Sequence, residues 1–93
     1  MDAVDRASRP HETTRTVTVR YWAGARAAAG VDGEQVVGPA TVGELVAHLA
    51  AARPALEPVL PVCSVLVDGR AGSGDDPLPD GAAVEVLPPF AGG

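Results

Sequence analysis

Lysine, isoleucine and asparagine are absent from this 93-residue chain, and cysteine occurs once, at Cys63. A single thiol excludes an internal disulfide and a cysteine metal cluster, and it suits a reducing compartment. The two histidines, His11 and His48, are too far apart in sequence to make a metal-ligand motif, so no metal site is expected. Aromatics make up 3% of the chain, leaving Tyr21, Trp22 and Phe90 as its only large rings. The core must therefore be built from valine, leucine and alanine. No secretory apolar segment opens the chain and no apolar run approaches membrane-spanning length, which predicts a soluble, cytoplasmic protein. The missing lysine also means that no side-chain amine can attack an activated acyl group on the same molecule. A GC-rich coding bias accounts for the absence without selection.

Catalytic constellations are missing too. Ser8, Ser64 and Ser73 stand in no nucleophile-elbow motif. Gly69, Gly72 and Gly74 lack the Gly-Lys-Ser/Thr sequence and following helix of a phosphate loop. Asp75 and Asp76 read as a turn, His48 as a solvated helix residue, and Cys63 as a buried structural thiol in a β-branched strand. No catalytic side chains are expected, and no bound cofactor.

Charge is the first positive signal. Net charge is −5, and the first 15 residues contribute nothing to it, with three carboxylates against three arginines. The remaining residues carry nine carboxylates against Arg20, Arg26, Arg53 and Arg70. An acidic body disfavours nucleic acid or an anionic membrane and favours a basic protein partner.

Ninety-three residues make one domain. MDAVDRASRPHETTR has mixed charge and no periodicity, which reads as a disordered extension over residues 1–15. TVTVRYW alternates from Thr16, with Val17, Val19 and Tyr21 on one face and Thr18, Arg20 and Trp22 on the other, as a half-buried strand does. AGARAAAG, residues 23–30, predicts a short helical turn stopped by Gly30. Glu34 to Val37 reads as a second strand. In TVGELVAHLAAARP, Thr41 and Glu44 form a capping-box pair, and Val42, Leu45, Val46 and Leu49 share one helical face. Pro54 ends that helix, with Arg53 placed to meet its negative end. VCSVLVDG predicts a strand closing at the Asp68-Gly69 turn. In the Gly/Asp/Pro stretch from Ala71 to Gly81, Leu78 is the residue expected to plug the core. Val84 and Val86 mark a last strand that runs directly into the tail. These elements predict an α+β fold, a small mixed sheet covered on one face by one main helix over residues 16–87.

The tail LPPFAGG has a mechanical logic. Pro88 and Pro89 lack N–H groups and favour an extended conformation, so they end sheet pairing and project the chain. Residues 88–93 can reach roughly 20 Å at about 3.3–3.6 Å each, far enough to enter another protein's active-site channel. Phe90 can anchor in an apolar pocket, while Gly92 and Gly93 pass a narrow channel and leave an unhindered carboxylate. That carboxylate becomes an electrophile once adenylated, and a sulfur nucleophile can then displace AMP.

VTVRYWAGARAAAG, TVGELVAHL, LPDGAAVEVL and PPFAGG together resemble the small subunit of molybdopterin synthase (MoaD-like), among the ubiquitin-like β-grasp sulfur carriers. The resemblance runs from about Thr16 to Gly93. The Pro-Pro and the Ala/Arg-rich segment after the first strand point to the molybdopterin branch. The N-terminal extension, the Ala/Gly-rich body and Phe90, where a smaller aliphatic residue is common, depart from it.

The resemblance implies that an E1-like adenylyltransferase uses ATP to adenylate Gly93 and that a sulfurtransferase then supplies sulfur for a thiocarboxylate. The molybdopterin synthase large subunit would receive Pro88, Pro89, Phe90, Ala91 and Gly92 in its active site and pass the sulfur to cyclic pyranopterin monophosphate. The protein would thus work in hetero-oligomers, with Trp22, Glu85 and Leu87 as candidate partner surface. Three other readings share these residues. They are a sulfur carrier for an amino acid or for thiamine thiazole, a ubiquitin-like protein modifier, and a β-grasp interaction domain with an inert tail. Thiazole carriers are typically shorter and lack the diproline.

Overall fold

The computed structural model describes residues 15–89. The expected extension lies outside them except for Arg15, and Phe90, Ala91, Gly92 and Gly93 lie outside them as well. Arg15 is tied to the fold: its carbonyl accepts from the Gly38 N–H at 2.8 Å, and its guanidinium donates to the Leu78 carbonyl at 3.1 Å.

The elements, in chain order, are β1 (Thr16–Tyr21), α1 (Ala23–Ala29), β2 (Gly33–Val37), α2 (Val42–Ala52), two 3-10 turns (Pro54–Leu56 and Leu60–Val62), β3 (Ser64–Val67), β4 (Arg70–Ala71) and β5 (Ala83–Leu87). The alternation of β1 translates directly into burial. Val17, Val19 and Tyr21 are buried, whereas Thr18 and Arg20 are exposed. Helix α1 ends where Gly30 adopts φ +81, a left-handed conformation that its missing Cβ permits, and its N–H closes onto the Arg26 carbonyl. At the start of α2, Thr41 Oγ1 accepts from the Glu44 N–H at 3.1 Å. The Glu44 carboxylate reaches one residue further than a capping box requires and accepts from the Ala40 N–H at 2.8 Å.

Five strands form one sheet in the order β2-β1-β5-β3-β4. β1 and β5 pair in parallel, and the other neighbours are antiparallel. The first and last strands of the domain therefore lie side by side in the middle. Val42, Leu45 and Leu49 of α2 join Val17, Val19, Tyr21, Val84 and Val86 in one core, to which α1 contributes Ala25 and Ala29. Leu78 enters this core from the loop and is fully buried, as its sequence position predicts.

Three local expectations change. Val62 and Cys63 do not begin β3. Val62 ends a 3-10 turn with 59% exposure, Cys63 caps that turn half-buried, and the strand starts at Ser64. Pro58 and Pro61 favour these tight turns over an extended strand. Cys63 Sγ instead donates to the Val59 carbonyl at 3.3 Å, and burial pushes its thiol above the usual 9.0. β4 is an added strand: Asp68 (φ 49) and Gly69 (φ 86) make the two-residue hairpin turn that brings Arg70 back beside Val67. Trp22 leaves β1 and becomes the residue preceding α1.

Candidate functional site

The candidate site is the end of the sheet from which β5 emerges, with the face opposite the core. Tyr21 pairs with Val86, and the next residue on β1, Trp22, donates its backbone N–H to the Val86 carbonyl at 3.1 Å. β1 then turns away into α1 through Ala23, whose φ is +47. β5 continues past that turn through Leu87, half-buried, to Pro88, which is buried, and Pro89, which is exposed. Pro88 thus belongs to the body of the domain rather than to a projecting segment, because the chain is still packed where sheet pairing ends.

On the open face the register sets residues side by side. Arg20 lies beside Glu85, Glu85 beside Leu66, and Leu66 beside Ala71. One step towards the tail, Leu87 stands opposite Ser64. Glu85, Leu66 and Leu87 are half-buried; Arg20 is exposed. The Arg20 guanidinium does not turn to Glu85. It stacks over the Trp22 ring, 4.6 Å from the centroid, a contact worth about 0.5–1 kcal/mol at an exposed site. The Trp22 indole N–H is sealed from solvent and has no acceptor among the described residues. Such a donor costs about 1–3 kcal/mol while it stays unpaired.

Of the residues singled out from sequence, the structure brings Trp22, Leu87, Pro88 and Pro89 to this end of the sheet, and Glu85 and Leu87 to its open face. Phe90, Ala91, Gly92 and Gly93 lie outside the described residues. Arg20 and Leu66 were missed. The alternation of β1 puts Arg20 on the outer face, but only the strand order shows what it neighbours. Leu66 sits in the unbroken apolar run SVLV, which carries no alternation to reveal its side.

Behind the same end, a polar lock joins both helices to β2. The Glu34 carboxylate accepts from Arg53 Nε at 2.8 Å and Nη2 at 2.9 Å, and from the Tyr21 hydroxyl. Arg53 also donates to the Ala29 carbonyl at 2.8 Å, so it serves the C-terminus of α1 rather than of its own helix. The Arg53 hydrogen bonds hold the Glu34 carboxyl below its usual 4.5 against the opposing effect of burial. Burial, then the bond to Glu34, drives the Tyr21 phenol well above 10.0. This lock fixes Tyr21, the residue next to Trp22.

An apolar groove of about 500 Å³ lies elsewhere, between α2 and the β3 edge, lined by Val42, Val46, Leu60, Cys63, Val65 and Ala71. Asp76 accepts from the Ser73 N–H, as a turn residue does, and His48 is exposed. Among the described residues no cluster of histidine, cysteine or carboxylate side chains could hold a metal, and no helix is long and apolar enough to cross a membrane.

A family model described as the ThiS family matches residues 19–93. No curated protein matches the sequence. Solved structures do. A putative molybdopterin converting factor, subunit 1, from Pyrococcus furiosus is 30% identical with a TM-score of 0.74, over 81% of this chain and 98% of that one. The small archaeal modifier protein 1 of Haloferax volcanii is 25% identical with a TM-score of 0.74, over 81% and 98%. A complex of subunits 1 and 2 of the molybdopterin-converting factor from Helicobacter pylori matches with 23% identity and a TM-score of 0.63, over 84% and 99%, a likeness of fold. With these neighbours, the mixed sheet and its covering helix are the ubiquitin-like β-grasp.

Proposed function

Because the chain belongs to the ThiS family, we propose that it is a sulfur carrier whose Gly93 carboxylate is the working group, in the role of a molybdopterin synthase small subunit. The observation that carries this reading is the central, parallel placement of β5 beside β1, which directs the last strand off the end of the sheet into Pro88 and Pro89. A strand held on both sides gives the tail a rigid base, so partners that grip the body also aim the terminus. The family match extends through residue 93, and the Pyrococcus furiosus relative supports the molybdopterin branch.

In the proposed sequence an E1-like adenylyltransferase joins a Gly93 carboxylate oxygen to the α-phosphate of ATP, releasing pyrophosphate. A persulfide on a sulfurtransferase then attacks the carbonyl and AMP leaves, and a thiol cleaves the resulting acyl disulfide to release the thiocarboxylate. The large subunit takes the segment from Pro89 to Gly93 and uses the sulfur on cyclic pyranopterin monophosphate, regenerating the carboxylate. In the Helicobacter pylori complex, a subunit of this fold is assembled with a subunit 2. Side-chain catalysis falls to the partners, and this chain supplies position and the reactive end.

Intact-mass analysis of protein from its own host tests this. A fraction heavier by one oxygen-to-sulfur exchange, mapped to Gly93, is the expected result. No adenylate with any host E1-like enzyme and ATP would refute the carrier reading. The likeness to the Haloferax volcanii modifier favours a second reading, attachment of Gly93 to amines of other proteins. Isopeptide-linked Gly-Gly remnants on host proteins, without thiocarboxylate, would select it.

A further inference from the structure

The open face carries a carboxylate that no described side chain pairs with. Glu85 is half-buried at the centre of the sheet, on the middle strand, between Arg20 of β1 and Leu66 of β3. The nearest cation by register, Arg20, is committed to the Trp22 ring. Among the described residues the ion pairs are Arg26 with Asp32 and Arg53 with Glu34, and the Glu85 side chain has no partner. A lone charge bordered by Leu66 and Leu87 adds nothing to the stability of the free domain. A partner that covered this face without supplying a cation would strand it in a low-dielectric interface.

From this we infer that Glu85 is the polar centre of a docking face for a basic protein surface, and that an arginine or lysine of the partner occupies it. Apolar side chains around that cation pack on Leu66 and Leu87. The inference rests on the carrier reading in naming that partner, the activating enzyme. Charge complementarity selects the occupant: the body carries nine carboxylates against four arginines over residues 16–93, and the one exposed cation in the Glu85 row is already engaged. Arg20 held on Trp22 keeps Glu85 open, and the uncompensated Glu85 charge bars a partner that would place a second acidic group there. Specificity then comes from the charge and adhesion from the two leucines.

The test is binding of the full-length chain to the host E1-like adenylyltransferase, measured without ATP and then by ATP–pyrophosphate exchange. Glu85→Gln should weaken binding about tenfold and Glu85→Lys about a hundredfold, with KM for the carrier raised and kcat unchanged. The wild type should lose affinity as salt is raised, and the glutamine variant should lose less. Thermal unfolding of both variants near the wild-type midpoint shows that the fold is intact. Wild-type affinity in both variants would overturn the inference. So would a loss confined to Leu66→Ala and Leu87→Ala, or no binding of the wild type. Binding without pyrophosphate exchange would instead refute the carrier reading alone.

Discussion

Leu78→Ala is the perturbation that best tests how this small core is closed. Leu78 is fully buried although it belongs to a loop. Its N–H donates to the Ala40 carbonyl at 2.9 Å and its carbonyl accepts from Arg15 at 3.1 Å. Next to it Pro77 bridges to Thr41, and beyond it Asp80 accepts from the Thr16 N–H at 2.8 Å. The loop is tethered on both sides, so it cannot slide inward to fill the space left by a shortened side chain. Loss of three buried carbons costs about 2.4 kcal/mol at about 0.8 kcal/mol each. The unrelaxed cavity raises this towards about 3–5 kcal/mol. At about 4–8 °C per kcal/mol for a domain of this size, Tm should fall by at least roughly 12 °C. Circular dichroism against temperature and urea titration followed by Trp22 fluorescence give independent readings. A drop below about 4 °C would show that the loop collapses into the gap or that Leu78 is dispensable.

The Glu34–Arg53–Tyr21 lock makes acid sensitivity predictable. Glu34 has its carboxyl held below the usual 4.5 in the folded state, so its stabilising contribution is fully present above that value and is lost as pH falls through the lower, folded one. Urea midpoints across this range should decline in the wild type and decline less in Glu34→Gln, and parallel profiles would refute the linkage. Gly33→Ala should loosen the β1–β2 edge, because a Cβ there would stand 2.5 Å from the Val19 carbonyl oxygen. The strands must separate, costing about 1–3 kcal/mol, with faster amide exchange at β1 and β2. Unchanged exchange would show that the strand accommodates the methyl group.

What the sequence by itself determined is everything that depends on neighbours along the chain. Alternation in TVTVRY sorts Val17, Val19 and Tyr21 to the core, because successive strand residues face opposite ways. Thr41 and Glu44, three apart, cap α2, and Gly30 stops α1, since both need only one helical turn. Asp68-Gly69 marks a turn, because residues tolerant of positive φ fit there, although the strand that returns from it was not legible. The ending PPFAGG and the segments before it carried the family.

Tertiary structure decided the rest. No local pattern states that β1 and β5, more than sixty residues apart, pair in parallel, yet that pairing puts Trp22 beside the exit of the tail and Glu85 beside Arg20. Arg53 was readable as the end of a helix, but its partners come from β2 and α1. Cys63 was displaced from its expected strand because the prolines around it favoured tight turns. Glu85 is one more acidic residue in the sequence. It becomes a site only when the strand order surrounds it with leucines and its one neighbouring cation is turned towards an indole.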